Sequence, residues 1–568
     1  MKRNTILPFY LFSFLLFLAA CTETVGDAKQ ETTQPQIYPD YVGVTIPVNI
    51  APLNFSMADE TMVNGQWSMV KNQCQRIDAV ITDGHGNSLH SQGEESVDFD
   101  IDDWHALLAQ NGGDSLSVTV SAKYDDGWHT YRPFSIYVSP DSIDYGLCYR
   151  LIAPGYEVWS KMGIYERDLS SFDERALIEN TQFEGCVNCH SFNRGNPADM
   201  SLHIRGPHGA TLLRHSVGRN SVGENSVGGD LQSPTAYNTK TPETLGLCVY
   251  PYWHPSGRYI AYSTNTTQQL FHSADSNRIE VFDTASDIQI YDIEKNELLL
   301  TPLLKQDSIY ETYPVFSADG RSLYFCAAHL SEELRVKSEE FATAVPASEP
   351  IGNPAGDSSL FTLHSSLNNL RYNLYRIDFD PATGTYGDHI ETVIDAASQH
   401  KSVSFPRPSY DGRFLCYTLS DYGQFSIWHH EADLWITPLS SPNGDTSAQQ
   451  SNEAPSGAVE GAVARPMTEA NSDDTESFHN WSTNSRWLVF SSRRDDGLFT
   501  RPYFCHVDTS GVVSKAFMLP QRNPRRFYRE RFLSFNVPEF IIEPTRFDGR
   551  QAARIINDES RKNFGVRK

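Results

Sequence analysis

The chain has 568 residues and a formal net charge of -25 at pH 7. A chain of this length exceeds what one hydrophobic core supports, so we expect about three domains. The negative charge disfavours binding to phosphate backbones and predicts no nucleic-acid partner. Aromatic residues make up 12% of the chain and indicate a folded, mostly β protein rather than a disordered one.

The first residues have the pattern of an export signal. Two basic residues precede the apolar run LPFYLFSFLLFLAA, which ends at Cys21 and is shorter than a full membrane span. The sequence LAAC at 18–21 resembles the lipobox of bacterial lipoproteins, which implies that Cys21 becomes the lipidated first residue. We therefore expect a signal peptide over 1–21, a flexible tether over 22–36, and a protein anchored in the cell envelope, at the outer membrane or a periplasmic face. An ordinary signal peptide, or an anchor that stays, is the alternative.

The segment 37–145 alternates apolar and polar residues with a period of two, as at Val42, Val44 and Ile46. Glycine-rich turn signals separate these runs, which predicts a small antiparallel β-sandwich. The acidic stretch DFDIDD at 98–103 lacks the glycine and the glutamate of a calcium loop. We interpret it as an exposed acidic strand or turn.

The segment 146–215 changes in character. An aromatic-rich stretch is followed by FDERALIENTQFEG over 172–185, which we interpret as a short helix, and then by a cysteine motif. Ser-Val-Gly then recurs three times without apolar residues, which indicates a linker over 216–244.

Beyond residue 245 one unit recurs. Each copy has the end of a strand, a turn, an arginine and an apolar strand, followed by strands of a second hairpin; the copies begin at Tyr252, Pro314, Pro406 and His479. Two hairpins per unit make the four-stranded blade of a β-propeller. These units resemble the repeats of TolB-type propellers over 245–520, which implies about six blades although four are legible. A stack of β-sandwiches is the alternative.

The spacing of the repeats is longer than a blade needs. We expect a disordered insertion over 440–464, which is rich in serine, alanine and glycine, and a loop or degenerate blade over 331–366. Residues 521–568 form a basic C-terminal extension: from residue 522 onward 12 Lys and Arg stand against 6 Asp and Glu. Such a segment could dock on an acidic partner or anionic head groups, or be a solvated face.

A cluster of metal-binding residue types lies in EGCVNCHSF, which contains Cys186, Cys189 and His190. The pattern Cys-x-x-Cys-His indicates covalent haem attachment. Two thiols at this spacing can add to the two vinyl groups on one porphyrin edge, and the adjacent histidine can then bind the iron. The resemblance to c-type cytochromes rests on these residues alone; it implies one covalent haem c but not a cytochrome fold.

Two other interpretations of this cluster stay open. Cys186, Cys189, His203 and His208 have the spacing of a zinc finger. A glycine and a proline between the two histidines disfavour the helix that such a finger needs. The other alternative is a disulfide or a redox-active dithiol.

The opposite axial position of the iron needs a second ligand. Met200 and His203 are the nearest candidates, and the sequence leaves the choice between them open; His208 and His215 are more distant choices. A methionine would raise the reduction potential relative to a second histidine. The side chains that could cover a porphyrin are Phe183, Phe192, Tyr156 and Trp159.

The sequence therefore predicts a membrane-anchored c-type haem lipoprotein that transfers electrons or senses through haem, with a propeller that docks a protein or glycan partner. One alternative, implied by the resemblance to TolB, is an envelope scaffold with a structural haem. A peroxidase-like haem enzyme is the other alternative. The sequence shows no second Cys-x-x-Cys-His and no nucleophile elbow, which disfavours catalysis.

Overall fold

The computed structural model describes most of the chain, in the ranges 23–58, 60–63, 66–69, 73–154, 161–215, 233–271, 277–332, 370–439 and 463–567. Several predictions fall on residues outside these ranges: the signal peptide with Cys21, the aromatic residues Tyr156 and Trp159, and most of the linker and of the two insertions. Within the described ranges, none of the helices combines the length and the apolar character needed to cross a membrane.

The N-terminal region is built on one seven-stranded sheet. Its strands, with those of two small two-stranded sheets, are β1 (Lys29–Gln30), β2 (Ile37–Tyr38), β3 (Thr45–Pro47), β4 (Ser56–Met57), β5 (Glu60–Val63), β6 (Gln66–Met69), β7 (Arg76–Thr82), β8 (Ser88–Gly93), β9 (Ser115–Tyr124), β10 (Gly127–Thr130) and β11 (Phe134–Ser139). The main sheet has the order β1-β10-β9-β11-β3, and β7 pairs with both β8 and β9. A second large sheet facing it is not among the described residues, so the two-layer sandwich stays a prediction.

The acidic stretch in this region forms a helix, α1 (Ile101–Gln110), so the prediction of a strand or turn was wrong. The carboxylate of Asp100 accepts hydrogen bonds from the backbone N–H groups of Asp102 and Asp103 and thereby caps the helix. Trp104 is fully buried on the inner face of the helix. The acidic residues are therefore the beginning of an amphipathic helix, where negative charge is favoured by the helix dipole.

The rest of the described chain forms a six-bladed propeller, which confirms the prediction of a mostly β fold with about six blades. Blade 1 consists of β12 (Gly146–Ile152), β13 (Gly163–Asp168), β14 (Glu174–Glu179) and, from much later in the chain, β35 (Ser534–Ile541). Blade 2 consists of β15 (Cys186–Asn193), β16 (Asn196–Arg205), β17 (Ala210–Arg214) and β18 (Thr235–Asn238), and blade 3 of β19 (Val249–Trp253), β20 (Tyr259–Phe271), β21 (Ile279–Asp292) and β22 (Glu297–Leu299). Blade 4 consists of β23 (Ile309–Phe316), β24 (Ser322–His329), β25 (Asn373–Asp380) and β26 (Thr385–Ile394), blade 5 of β27 (Ser402–Pro408), β28 (Phe414–Ser420), β29 (Asp433–Pro438) and β30 (Arg465–Pro466), and blade 6 of β31 (Glu476–Trp481), β32 (Trp487–Ser492), β33 (Arg501–His506) and β34 (Phe517–Met518).

The innermost strands of the six sheets surround a common axis. In order they are β35, β15, β19, β23, β27 and β31, and each contacts the next, with β31 in turn contacting β35. This closed ring of contacts is what distinguishes a propeller from a stack of sandwiches.

The ring closes by joining distant parts of the chain. The inner strand of blade 1 is β35, which pairs antiparallel with β12 through contacts such as Leu147 with Phe540. Two further short strands at the C-terminus, β36 (Lys562–Asn563) and β37 (Gly565–Arg567), extend the outer edges of blades 2 and 3. The structure therefore extends the propeller at both ends of the 245–520 range expected from the repeats.

The residues 172–185 are not helical, so that prediction was wrong. Glu174–Glu179 is the strand β14, followed by one short turn of 3-10 helix at Asn180–Gln182. Leu177 and Ile178 are buried there in the core between blades 1 and 2. Packing in a sheet has overridden the helix-forming tendency of the neighbouring Glu, Arg and Ala residues.

The C-terminal basic residues are part of the folded structure. They include the helices α2 (Pro524–Glu530) and α3 (Gly549–Asn557) beside the strands already described. The guanidinium of Arg531 bonds both carboxylate oxygens of Glu174 at 2.7 Å, which ties this segment to blade 1. Part of the positive charge in this segment is thus paired within the fold.

Candidate functional site

Each of the six inner strands carries a β-bulge at the same register. At this point two residues of the inner strand have no partner in the ladder to the next strand. The pairs are Asn188-Cys189, Tyr250-Pro251, Tyr313-Pro314, Phe405-Pro406, Phe478-His479 and Val537-Pro538. In every blade except blade 2 the first residue of the pair is left-handed, with φ between 50° and 54°.

The cysteine motif occupies the bulge of blade 2. Cys189 is the second bulge residue, a slot that holds proline in four of the six blades. Cys186 lies two residues before the bulge, and His190 is the first residue after it. Both cysteines are free thiols and half-buried, so the structure does not join them in a disulfide.

His190 is buried between blades 1 and 2. It is 4% exposed, and its Nε2 lies 3.3 Å from the carbonyl oxygen of Cys148 on β12. Burial lowers the pKa of His190 to about 4, against the raising influence of the Cys148 carbonyl. The imidazole is therefore neutral at pH 7, which is the protonation state that binds a metal.

The structure places the two candidate axial ligands on opposite faces of β16. His190 is paired with Leu202, and Phe192 with Met200, so these four side chains share one face, and three of them pack in the core that also contains Cys148. His203 is offset by one residue from Leu202 and therefore faces the other way, where its Nδ1 lies 3.2 Å from the hydroxyl of Thr211.

Two of the four aromatic residues expected to cover a porphyrin are described, and both are buried. Phe192 is edge-on to His190 with 6.1 Å between the ring centroids. Phe183 packs in the same hydrophobic core as Phe192 and Met200. Tyr156 and Trp159 lie outside the described residues.

The zinc-finger set is not assembled. His203 is directed away from the face that holds His190, and His208 pairs instead with Glu559, Nδ1 to Oε1 at 3.0 Å. Among the residues that the structure describes, no three His, Cys, Asp or Glu side chains are grouped as a metal cage requires. The zinc-finger alternative rested only on the spacing of these cysteines and histidines in the sequence.

The donor set of blade 2 fits covalent haem in its chemistry. It offers two free thiols at the attachment spacing, a neutral imidazole next to them, and apolar cover from Phe192 and Met200. Ligation through Nε2 requires that the contact to Cys148 be given up, and one such hydrogen bond contributes about 1 kcal/mol.

Sequence reasoning missed a second site, a pocket lined by residues from the ends of the inner strands. Its polar lining includes Arg407, His479 and Glu539. The available signal was His479, which takes the place of the proline found in most of the repeats. The Arg407 and Glu539 positions vary among the blades and gave no signal.

Comparisons with known proteins show only weak likeness. No protein-family model matches the chain, and no curated protein is detectably similar to it. Its structure matches prolyl oligopeptidase B from Galerina marginata at 8% identity and a TM-score of 0.31, over 71% of this chain and 42% of that one. This chain thus spans less than half of the length of that enzyme.

Two further solved structures are similar at the same level. One is an oligogalacturonate lyase in complex with manganese, at 11% identity and a TM-score of 0.32, over 66% of this chain and 74% of that one. The other is a DUF4784 family protein from Bacteroides caccae, at 8% identity and a TM-score of 0.25, over 71% of this chain and 93% of that one. Likeness this weak carries no conclusion about activity.

Proposed function

We propose that the protein is a lipid-anchored, c-type haem protein of the cell envelope in which Cys186 and Cys189 carry one haem and His190 binds its iron. The observation that carries the proposal is the departure of blade 2 from the bulge pattern of the repeat. Where four blades have proline, this blade has Cys189, with a second thiol three residues before it and a buried neutral imidazole next to it.

The haem supplies one-electron chemistry, and the chain holds and shields it. Cys186 and Cys189 would each hold the haem through a thioether bond formed by addition to one vinyl group, so that nothing leaves and the full mass of haem is gained. The neutral imidazole of His190 presents a lone pair to the iron without competition from protons at pH 7. One haem fits electron transfer or haem-based sensing by a propeller that docks a redox or envelope partner.

Of the two candidate side chains, Met200 would be the one that could offer the haem a second donor. It shares a face of the sheet with His190, whereas His203 is on the opposite face and already has Thr211 as a partner. A thioether ligand gives a higher reduction potential than a second imidazole.

The proposal is tested by making the whole chain in a bacterial host that attaches c-type haem and measuring the intact mass and the reduced-minus-oxidised visible spectrum. We expect the mass of the mature chain plus one haem and the absorption bands of a low-spin c-type haem. Colourless protein in which both thiols react with a maleimide would overturn the proposal.

Cys248→Ser is the matched control. Cys248 occupies in blade 3 the slot that Cys186 occupies in blade 2, but it is fully buried in the core of its own blade. This variant removes one thiol and should leave the haem content unchanged.

A further inference from the structure

A second site lies at the end of the propeller axis where the inner strands finish. The pocket has an empty volume of about 670 Å³, including the part open to solvent. Its walls come from all six blades, through residues in the bulges and residues that follow them. Of the residues proposed to hold haem, Cys186 and Cys189 do not line this pocket, whereas His190 does.

Arg407 is the main cation of this pocket. It is the first residue after the bulge of blade 5, and its guanidinium lies over the ring of Tyr252, with 5.5 Å between the guanidinium carbon and the ring centroid. Its one hydrogen bond in the described structure is from an Nη to the carbonyl oxygen of Pro406, at 2.9 Å. No described carboxylate forms an ion pair with it, so most of its donors are available to a ligand.

A second arginine contributes positive charge. Arg194, in the turn that follows β15, donates to the carbonyl oxygen of Ala318 and lies over the ring of Tyr410, 5.7 Å from its centroid. Both guanidinium groups therefore lie against aromatic rings on the pocket wall. Positive charge gathered here contrasts with the net charge of -25 for the whole chain.

The carboxyl group in the pocket lining does not cancel this charge. Glu539 is 7% exposed, and its Oε1 accepts the backbone N–H of Phe192 at 2.9 Å. Burial raises the pKa of Glu539 to about 8, against the lowering influence of the Phe192 N–H and Arg407. At neutral pH the group is mostly protonated and can donate a hydrogen bond.

His479 gives independent support for a ligand. It is 2% exposed, lines the pocket, and has no hydrogen-bond partner for either ring nitrogen. Burial, followed by the positive charge of Arg407, lowers the pKa of His479 to about 3, against the raising influence of the Cys416 and Phe405 backbone. A buried imidazole without partners is costly unless something satisfies it.

We infer that this pocket binds a small organic carboxylate, which Arg407 holds through paired N–H donors, with His479 donating a further hydrogen bond. Arginine matches the planar carboxylate with two parallel hydrogen bonds, which an amide or a hydroxyl group cannot replace. The rings of Tyr252 and Tyr410 provide flat walls for the body of the ligand.

The test is calorimetric titration of the whole mature protein with succinate, benzoate and glucuronate, each against its uncharged counterpart: succinamide, benzamide and glucose. We expect at least one acid to bind with a Kd of about 1 mM or lower, and its counterpart at least about 10-fold more weakly. Equal affinity for acid and counterpart, or no binding of any acid at about 20 mM, would overturn the inference.

Variants separate the role of Arg407 from a general effect on the fold. Arg407→Gln should weaken binding of the acid about 10-fold or more, and Arg407→Lys should be intermediate because it keeps the charge but not the paired donors. Arg413→Gln, in an exposed turn of the same blade, should bind as the wild type does. His479→Asn should weaken binding by about 3-fold to 10-fold. Unchanged affinity in folded Arg407→Gln contradicts the inference.

Discussion

The inner strand of blade 2 and those of the other blades share one backbone plan but differ in what they place on it. All six have a bulge at the same register, and four have proline in its second position. Blade 2 has Cys189 there and blade 6 has His479. Proline has no backbone N–H group, so the fold does not depend on a hydrogen bond from the backbone nitrogen at this position. Another residue can therefore replace the proline, keep the fold and add a functional group. The two departures are at the two sites for which we propose ligands.

The strongest test of this comparison removes the feature that sets blade 2 apart. In Cys186→Ser/Cys189→Ser the thioether bonds cannot form, and we expect complete loss of covalent haem by intact mass. The propeller should still fold, because the bulge tolerates different residues in the other blades. Circular dichroism and the melting temperature check this. Haem retained at the wild-type level in the double variant would contradict the proposed attachment site.

A second test compares two other blades at the slot of Cys186. Glu311 in blade 4 and Glu476 in blade 6 occupy this slot, two residues before the bulge, and both are buried. Glu476 pairs with Arg494 at 2.8 Å, whereas the Oε2 of Glu311 has no hydrogen-bond partner. We expect Glu476→Gln to lower the free energy of unfolding by about 3 kcal/mol, since it leaves Arg494 without its buried partner.

Glu311→Gln should have the opposite effect at alkaline pH. Burial raises the pKa of Glu311 to about 9, and the negative charge of the nearby Asp287 acts in the same direction. The folded state therefore keeps a proton that the unfolded chain releases, and the free energy of unfolding falls as the pH rises from about 4.5 to about 9. We expect Glu311→Gln to raise it by several kcal/mol at pH 9 and to change it little at pH 4. Urea denaturation at the two pH values measures this; equal effects at both would contradict the assignment.

The pocket around Arg407 allows a test by pH in which the expected effect is smaller. The titratable groups that line the pocket include Arg407 and Arg194, His190 and His479, whose pKa values burial lowers, and Tyr252 and Tyr410, whose pKa values burial raises. As the pH passes about 8, Glu539 ionises and repels the carboxylate. We expect affinity to fall roughly 5-fold between pH 6.5 and pH 9.

Glu539→Gln is the control for this pH dependence. The amide oxygen can still accept the N–H of Phe192, but the side chain cannot ionise. Its binding should be the same at both pH values. If the pH dependence persists in this variant, Glu539 is not its origin.

The smallest expected effect distinguishes the two candidate axial ligands. Met200→Leu nearly conserves volume, so stability should change by less than about 1.5 kcal/mol and haem should stay attached. We expect it to alter the visible spectrum and lower the reduction potential, because the sulfur ligand is lost. His203→Asn should leave both unchanged. A spectral change in His203→Asn and none in Met200→Leu would reverse the assignment.

The blades that could be recognised from the sequence were those with a characteristic turn between their first two strands. Gly257, Gly320 and Gly412 have φ of 72° or 73° there, and Ser485 adopts a φ of 59° in the fourth copy. Left-handed backbone of this kind favours glycine, so the turn leaves a signal in the sequence. Blades 3 to 6 could be recognised in this way.

Blades 1 and 2 could not be recognised from the same signal. In blade 1 the first two strands, β35 and β12, lie at opposite ends of the propeller sequence, so no turn joins them. In blade 2 the cysteine motif covers the strand that precedes the turn, and the turn itself has Arg194 and Gly195 in left-handed conformations. The cysteine motif thus concealed a structural repeat.

The site was predictable only in part, because side-chain direction depends on strand register. The motif named Cys186, Cys189 and His190 directly, but a choice between Met200 and His203 required the pairing of β15 with β16. The pocket around Arg407 draws its residues from all six blades, far apart in sequence. No local pattern connects such positions.

The way in which the ring closes has a consequence for the order of maturation. The strand that completes blade 1, Ser534–Ile541, is synthesised long after Cys186 and Cys189. Until this strand docks, blade 1 has no inner strand, and Cys186 and Cys189 in blade 2 lie beside an incomplete blade. Enzymes that attach the proposed haem would thus have a limited interval in which to act, which ends when this strand docks.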